Sequence, residues 1–166
     1  MQAKFILIEP CDFYYHDDLP HEDIRGLKCS TDRNTEYCDT SIEHTWYKLS
    51  TEEKLTNTCP GQQTCGSEKP IWINGDIPSE TDNVLEQNAC LPNSTNCCGN
   101  VIPIKVKNCS DFLVYKLAPS RDCTERYCIG SGDSVACDQT PDSSYSTAST
   151  TGNALASAAR LPVWKL

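Results

Sequence analysis

Leu, Ile, Val and Phe are sparse in this chain: hydrophobic residues fill 38% of its 166 positions even with twelve cysteines counted among them. That excludes a large oily interior for this length and leaves crosslinks to compensate. No apolar stretch approaches the length needed to span a bilayer, so any membrane anchor is expected outside this segment. Positive charge is short as well, with 14 Lys and Arg against 23 Asp and Glu, a formal charge of -9. Nucleic acid, heparin-like polymers and anionic lipid are poor partners for such a chain.

The signatures of catalysis and of cofactor binding are missing too. A nucleophile elbow needs Gly-x-Ser-x-Gly, whereas Gly130-Ser131-Gly132 has no apolar strand before it and reads as a flexible link. A cysteine protease needs an unpaired thiolate, which an even cysteine count does not leave. No Cys-x-x-Cys occurs, Cys59/Cys65 and Cys123/Cys128 are too widely spaced for a zinc knuckle, and the three histidines lie far from them. The cluster His16-Asp17-Asp18 to His21-Glu22-Asp23 mixes imidazoles with carboxylates, but it lacks the alternating acids and the glycine of a calcium loop. It reads as a solvated loop, and His44, beside Thr45 and Trp46, as a surface or half-buried strand residue. No metal, no cofactor and no catalytic residue is expected.

What the chain does have is cysteine: Cys11, Cys29, Cys38, Cys59, Cys65, Cys90, Cys97, Cys98, Cys109, Cys123, Cys128 and Cys137. An even number at this density suits an oxidising compartment. Cys97 and Cys98 are adjacent, and a bridge between neighbours would strain the peptide joining them, so each needs its own partner. If that segment is extended, the two side chains point to opposite faces and the strand is clamped from both. Bridges closing loops of 15 to 100 residues are each worth roughly 3 to 5 kcal/mol in the chain-entropy model. Reduction is therefore expected to unfold the protein.

Along the chain, Met1 to Ile8 carries an apolar run too short for a signal-peptide core, and residues 1–10 read as the lead of a fragment. Residues 12–37 are polar and aperiodic, a loop or short helical turns. Ile42 to Leu49 reads as a strand, and Ile71-Trp72-Ile73 as another that ends at the turn signal Asn74-Gly75. In Val101 to Lys107, Ile102, Ile104 and Val106 share one face, while Pro103, which cannot donate a ladder hydrogen bond, predicts an edge strand. Phe112 to Leu117 follows closely enough to make a hairpin with it. One or two helical turns are expected, for instance around Asp82 to Ala89, in an otherwise all-β domain. Trp46, Tyr47, Trp72, Tyr115 and Tyr127 are expected to build the core, any exposed one being a candidate binding hot spot.

Beyond Cys137, residues 138–151 hold eight Ser or Thr among fourteen, a composition that cannot bury enough surface to order itself. Residues 138–166 therefore read as a linker or an O-glycosylated stalk. Two Asn-x-Ser/Thr acceptors complete the inventory, Asn93-Ser94-Thr95 and Asn108-Cys109-Ser110. Asn93 is the better candidate, since it lies in a polar turn while Cys109 occupies the middle of the other site.

An ordered series of landmarks runs through Glu9-Pro10-Cys11, Ser30-Thr31-Asp32, Cys38-Asp39 with Trp46-Tyr47, Cys65-Gly66, Pro70 to Gly75, Cys97-Cys98, Ile104 to Lys107 and Val114 to Leu117, and closes on Cys123 and Tyr127-Cys128. Over residues 11–128 this resembles the eight-to-ten-cysteine domain found in uromodulin, the pancreatic zymogen-granule glycoprotein and liver-specific zona-pellucida-domain proteins. The resemblance implies a β-sandwich-like extracellular domain without enzymatic activity, secreted or on the outer face of a membrane-anchored protein, often beside EGF-like or zona-pellucida modules. It also implies the bridges Cys11 with Cys109, Cys38 with Cys123, Cys59 with Cys97, Cys65 with Cys128, and Cys90 with Cys98. Cys29 and Cys137 fall outside that pattern and would join each other or a neighbouring module. In mammalian members, glycans near the Trp-x-Asn-Gly and Val-Tyr landmarks are bait for mannose-binding fimbriae; here Asp76 and Lys116 remove both acceptors.

The function expected is that of a non-catalytic glycoprotein module, a spacer, adhesion or glycan-presenting unit of a mosaic protein, with extracellular proteins or glycan-binding lectins as partners. A small secreted toxin or protease inhibitor is the alternative, though that class stops soon after its last cysteine. A secreted hydrolase is the third, and would need a pocket in which His16 or His21 meets carboxylates.

Overall fold

The computed structural model describes residues 9–30, 38–49 and 53–130. The protein is all-β, with seven strands and three short 3-10 turns among these residues. The strands are β1 (Asp17–Asp18), β2 (Trp46–Lys48), β3 (Lys69–Asn74), β4 (Leu85–Leu91), β5 (Asn100–Asn108), β6 (Leu113–Lys116) and β7 (Glu125–Tyr127). They form one sheet in the order β1-β2-β6-β5-β4-β3-β7, antiparallel except where β1 meets β2 and β3 meets β7.

The sheet curls on itself. In strand order β7 is four places from β6, yet the Tyr127 hydroxyl donates to the carbonyl of Ala118, just past β6, at 3.0 Å. From the other side the Tyr115 hydroxyl on β6 accepts the amide of Leu55 at 3.3 Å, and Leu55 bridges Ile129, just past β7. Two tyrosines thus span the interior and tie its ends together, each with its hydroxyl satisfied. Around them lie Tyr47, Leu55, Ile71, Ile73, Ile104, Val106 and Leu117, all buried.

The β5–β6 hairpin follows the alternation of its sequence. Ile104 and Val106 turn inward, Ile102 is half-buried beside them, and Pro103, Lys105 and Lys107 take the other face. Pro103 corrects a simple edge assignment, because β5 lies between β4 and β6. The β6 ladder, however, covers only Lys105 to Asn108, so Pro103 sits where β5 pairs with β4 alone. A missing amide is tolerated there because that half of the strand is an edge.

Three other expectations give way to the tertiary structure. The helical turn expected near Asp82 to Ala89 is largely strand β4, since residues 85–91 pair residue by residue with β5 and their good helix formers are outweighed by that ladder. Short helical turns do form within residues 12–37, as expected there, at Phe13–Tyr15 and Glu22–Ile24, and a third lies at Asp39–Ser41. The strand expected over Ile42 to Leu49 shortens to β2, because the amide of Thr45 closes a turn onto Glu43 at 2.9 Å. Of the five aromatics assigned to the core, Trp46 is half-buried on the outer face. It adjoins inward-facing Tyr47 on the strand, so the two alternate.

That outer face is partly roofed. Val114 lies on it opposite Lys48, yet is fully buried. Phe112 on the same face carries the Lys48 ammonium 4.7 Å from its ring centre and packs against His16 in a tilted contact, with centroids 5.4 Å apart. The bridge Cys11–Cys109 ties residues 9–16 down over this patch.

Burial pushes the phenols of Tyr115 and Tyr127 well above their ordinary range, desolvation outweighing the hydrogen bonds that favour ionisation. Their folded-state pKa exceeds the unfolded value of about 10, so their contribution is intact below that pH and is lost as pH rises through it. Stability should fall above pH ~10 by roughly 1.4 kcal/mol per pH unit for each of the two tyrosines. Denaturant unfolding across that range, followed with tyrosinate absorbance, checks the slope; a flat profile contradicts it.

Candidate functional site

The polar loop 92–99 between β4 and β5 is built on its cysteines. Cys97 and Cys98 lie in a turn rather than an extended strand, which corrects the opposite-faces picture. They still diverge: Cys98 bonds Cys90 at the end of β4, and Cys97 bonds Cys59 in the segment before β3. The Trp72 indole N–H adds a third hold, donating to the Cys97 carbonyl at 2.9 Å. A loop rich in Asn and Ser would otherwise be the most mobile part of the hairpin, and here it is fixed at its base.

Asn93 opens this loop and is exposed. Its Oδ1 accepts the amides of Thr95 at 3.0 Å and Asn96 at 2.7 Å, and the Thr95 hydroxyl at 3.3 Å, an Asx turn. Its Nδ2 donates to no described residue and lies against Gly99, where a Cβ would collide with it. A side chain at position 99 would therefore push the Asn93 amide out of its turn. Asn108 differs: it is half-buried, its Nδ2 donates to the Pro78 carbonyl at 2.9 Å, and its Oδ1 accepts the amide of Ser110.

The structure also holds the bridges Cys11–Cys109, Cys38–Cys123 and Cys65–Cys128. Cys29 is buried and disulfide-bonded. Cys137, like residues 138–166, lies outside the described residues, as do Ser131 and Gly132.

His16 and His21 do not converge. His16 places Nδ1 3.0 Å from the Pro10 carbonyl and its ring on Phe112, while His21 is exposed with a left-handed backbone. Asp17, Asp18 and Asp23 are exposed and Glu22 is half-buried. No cluster of three metal-ligating side chains exists among the described residues. His44 lies not in a strand but before β2, exposed, at the mouth of a groove it shares with Trp46, Lys105 and Lys116. Sequence reasoning passed over that groove.

Residues 47–129, half of the chain, match the family model of the uromodulin-like domain. The chain belongs to this family. Rat uromodulin is 30% identical over 129 residues, which cover 76% of this chain and 19% of that protein. The dog pancreatic secretory granule membrane major glycoprotein GP2 is 29% identical over 123 residues, 72% of this chain and 23% of that protein, and its mouse counterpart 31% over 105 residues, 60% and 20%. The chain thus spans about a fifth of the length of the curated relatives it matches. As a uromodulin-like domain, crosslinked throughout, it is an extracellular, disulfide-bonded unit, and no helix among its described residues is long and apolar enough to cross a membrane.

Proposed function

We propose that this uromodulin-like domain is a non-catalytic module of a larger mosaic glycoprotein and that it presents an N-linked glycan on Asn93. The exposed Asn93 amide, on a loop anchored through two bridges at its far end, carries this reading. A glycan attached there would project from a fixed base, which lowers the entropy lost when a lectin or neighbouring protein engages it. Asn108 supports the opposite expectation, because a sugar on its Nδ2 would displace the Pro78 hydrogen bond and push into a half-buried site. The small share of each relative that the chain spans supports a role as one unit beside others. His16 and Asp17 do line one hollow, but the His16 Nδ1 is engaged with the Pro10 carbonyl and its ring with Phe112, and no described serine or cysteine lines that hollow, so hydrolysis is not the favoured reading.

Secretion from mammalian cells followed by glycopeptide mass mapping tests the proposal. The expected result is a glycan on Asn93 and an unmodified Asn108, with Asn93→Gln removing the whole mass shift. An unmodified Asn93, or a glycan on Asn108 alone, overturns it.

A further inference from the structure

Across the outer face, β-ladder register sets four side chains directly opposite one another: Glu86 on β4, Lys105 on β5, Lys116 on β6 and Trp46 on β2. Facing Lys105 and Lys116 is an unfavourable choice for a sheet. Glu86 relieves one of them, its carboxylate lying 2.7 Å from the Lys105 ammonium. Lys116 has no hydrogen bond or ion pair among the described residues, and neither has His44 beside it. A chain of charge -9 thus keeps an unneutralised cation in a place where its register makes the repulsion worst.

This row floors a groove. Two adjoining hollows of about 380 and 530 Å³ share His44, Lys105 and Lys116, and the second is walled by Tyr14, Tyr15 and Trp46. These volumes fall within the range of small-ligand pockets. Tyr14 is 90% exposed and Tyr15 38%, on a 3-10 turn with no buried residue of its own, although the chain on either side is fixed by Cys11–Cys109 and by β1. The indole N–H of Trp46 and both tyrosine hydroxyls are without partners among the described residues. Each hollow has one carboxylate in its lining, Glu86 in the first, already paired with Lys105, and Asp17 in the second, whereas Lys116 lines both.

We propose that this groove binds an acidic sugar, a pyranose ring carrying a carboxylate. The C–H face of the ring would lie on Trp46 and the tyrosines, its hydroxyls would take the free N–H and O–H groups, and its carboxylate would pair with Lys116. The carboxylate supplies the counter-ion that Lys116 lacks, and either hollow has room for a sugar ring. The rival occupant, an acidic peptide adding a strand to the open half of β5, is disfavoured by Pro103, which removes a donor from that edge. The groove shares no residue with the Asn93 loop, so the two proposals stand or fall separately.

The test titrates the intact chain with sialyllactose, with lactose as the neutral control and tetraglutamate as the peptide control, followed by tryptophan fluorescence and two-dimensional NMR. Sialyllactose should give saturable shifts centred on Trp46, Lys105 and Lys116, at least about tenfold tighter than either control. Lys116→Ala and Tyr14→Ala should each weaken binding severalfold without disturbing the remaining spectrum, because neither side chain belongs to the core, and Lys116→Arg should retain it. Equal binding of lactose removes the role of the cation, equal or tighter binding of tetraglutamate makes it an anion or peptide site, and no saturable shift at millimolar sialyllactose empties it. Each of these overturns the proposal, as does unchanged affinity in Lys116→Ala.

Discussion

Full reduction is expected to unfold this domain under otherwise native conditions. Sixteen apolar side chains form the buried cluster among the described residues, a small core for a chain of 166. Against it stand bridges closing sequence separations of 98, 85, 63, 38 and 8 residues. In the chain-entropy model the longer ones contribute roughly 3 to 5 kcal/mol each, while domains of this kind have about 5 to 15 kcal/mol in total. Losing two or three is then enough, even if their contributions are not additive. Loss of amide dispersion in NMR spectra on adding a phosphine reductant is the expected readout, and a folded spectrum in full reductant would contradict it. Accessibility also sets an order: Cys123 is exposed and Cys38 half-buried, whereas Cys65, Cys128 and Cys90 have no exposed surface. Partial reduction with alkylation should label Cys38 and Cys123 early and Cys65 and Cys128 late.

Local signals carried the strands that have their own pattern. Alternation in Ile102, Ile104 and Val106 identified β5, and Asn74-Gly75 marked the end of β3, because both signals depend on neighbours in sequence. Strand β4 was missed because Leu85, Glu86, Gln87 and Ala89 are good helix formers, and only the ladder with β5 makes them extended. Trp46 was placed in the core for want of a way to know that the face it occupies is open at its end while Val114, on the same face, is closed over by the N-terminal segment. Residues 12–37 read as a loop or short helical turns, and the turns are there, yet the same stretch also buries Leu19, Arg25 and Cys29.

Legibility of the candidate sites follows the same divide. Both glycan acceptors can be read from three residues, but what separates them is the Pro78 carbonyl, thirty positions from Asn108, holding one amide and leaving the other. The Glu86–Lys105–Lys116–Trp46 row needs three pairings at once, of which only the β5–β6 hairpin was visible in sequence. Lys105 and Lys116, both outward in that hairpin, were the signal available: two lysines facing each other in an acidic chain.

Asp39→Ala should be among the most damaging single substitutions outside the cysteines. Arg25 and Asp39 are each about 1% exposed and meet in a two-pronged pair, Nη1 to Oδ2 at 2.7 Å and Nη2 to Oδ1 at 2.5 Å. Asp39 Oδ2 also accepts the amide of Tyr127 at 2.7 Å, and Arg25 Nε donates to the Pro20 carbonyl at 2.8 Å. A buried ion pair is a poor source of net stability, because desolvation offsets most of the attraction, but removing one partner strands the other charge. Here truncation leaves a guanidinium without its counter-ion and a backbone N–H without an acceptor, an expected loss of about 3 to 5 kcal/mol in urea unfolding. Replacing the pair together, Arg25→Met with Asp39→Leu, should recover part of that loss but not all of it, since the Tyr127 amide stays unsatisfied in both variants. The damage should also be local before it is global. Arg25 accepts the amide of Ile129 through its carbonyl at 2.9 Å, so hydrogen exchange at Tyr127 and Ile129 should accelerate first. Asp39→Ala unfolding within about 1 kcal/mol of the parent, with both amides still protected, would mean that water or another group takes over the pair, and that the N-terminal segment is held to β7 by something other than this charge.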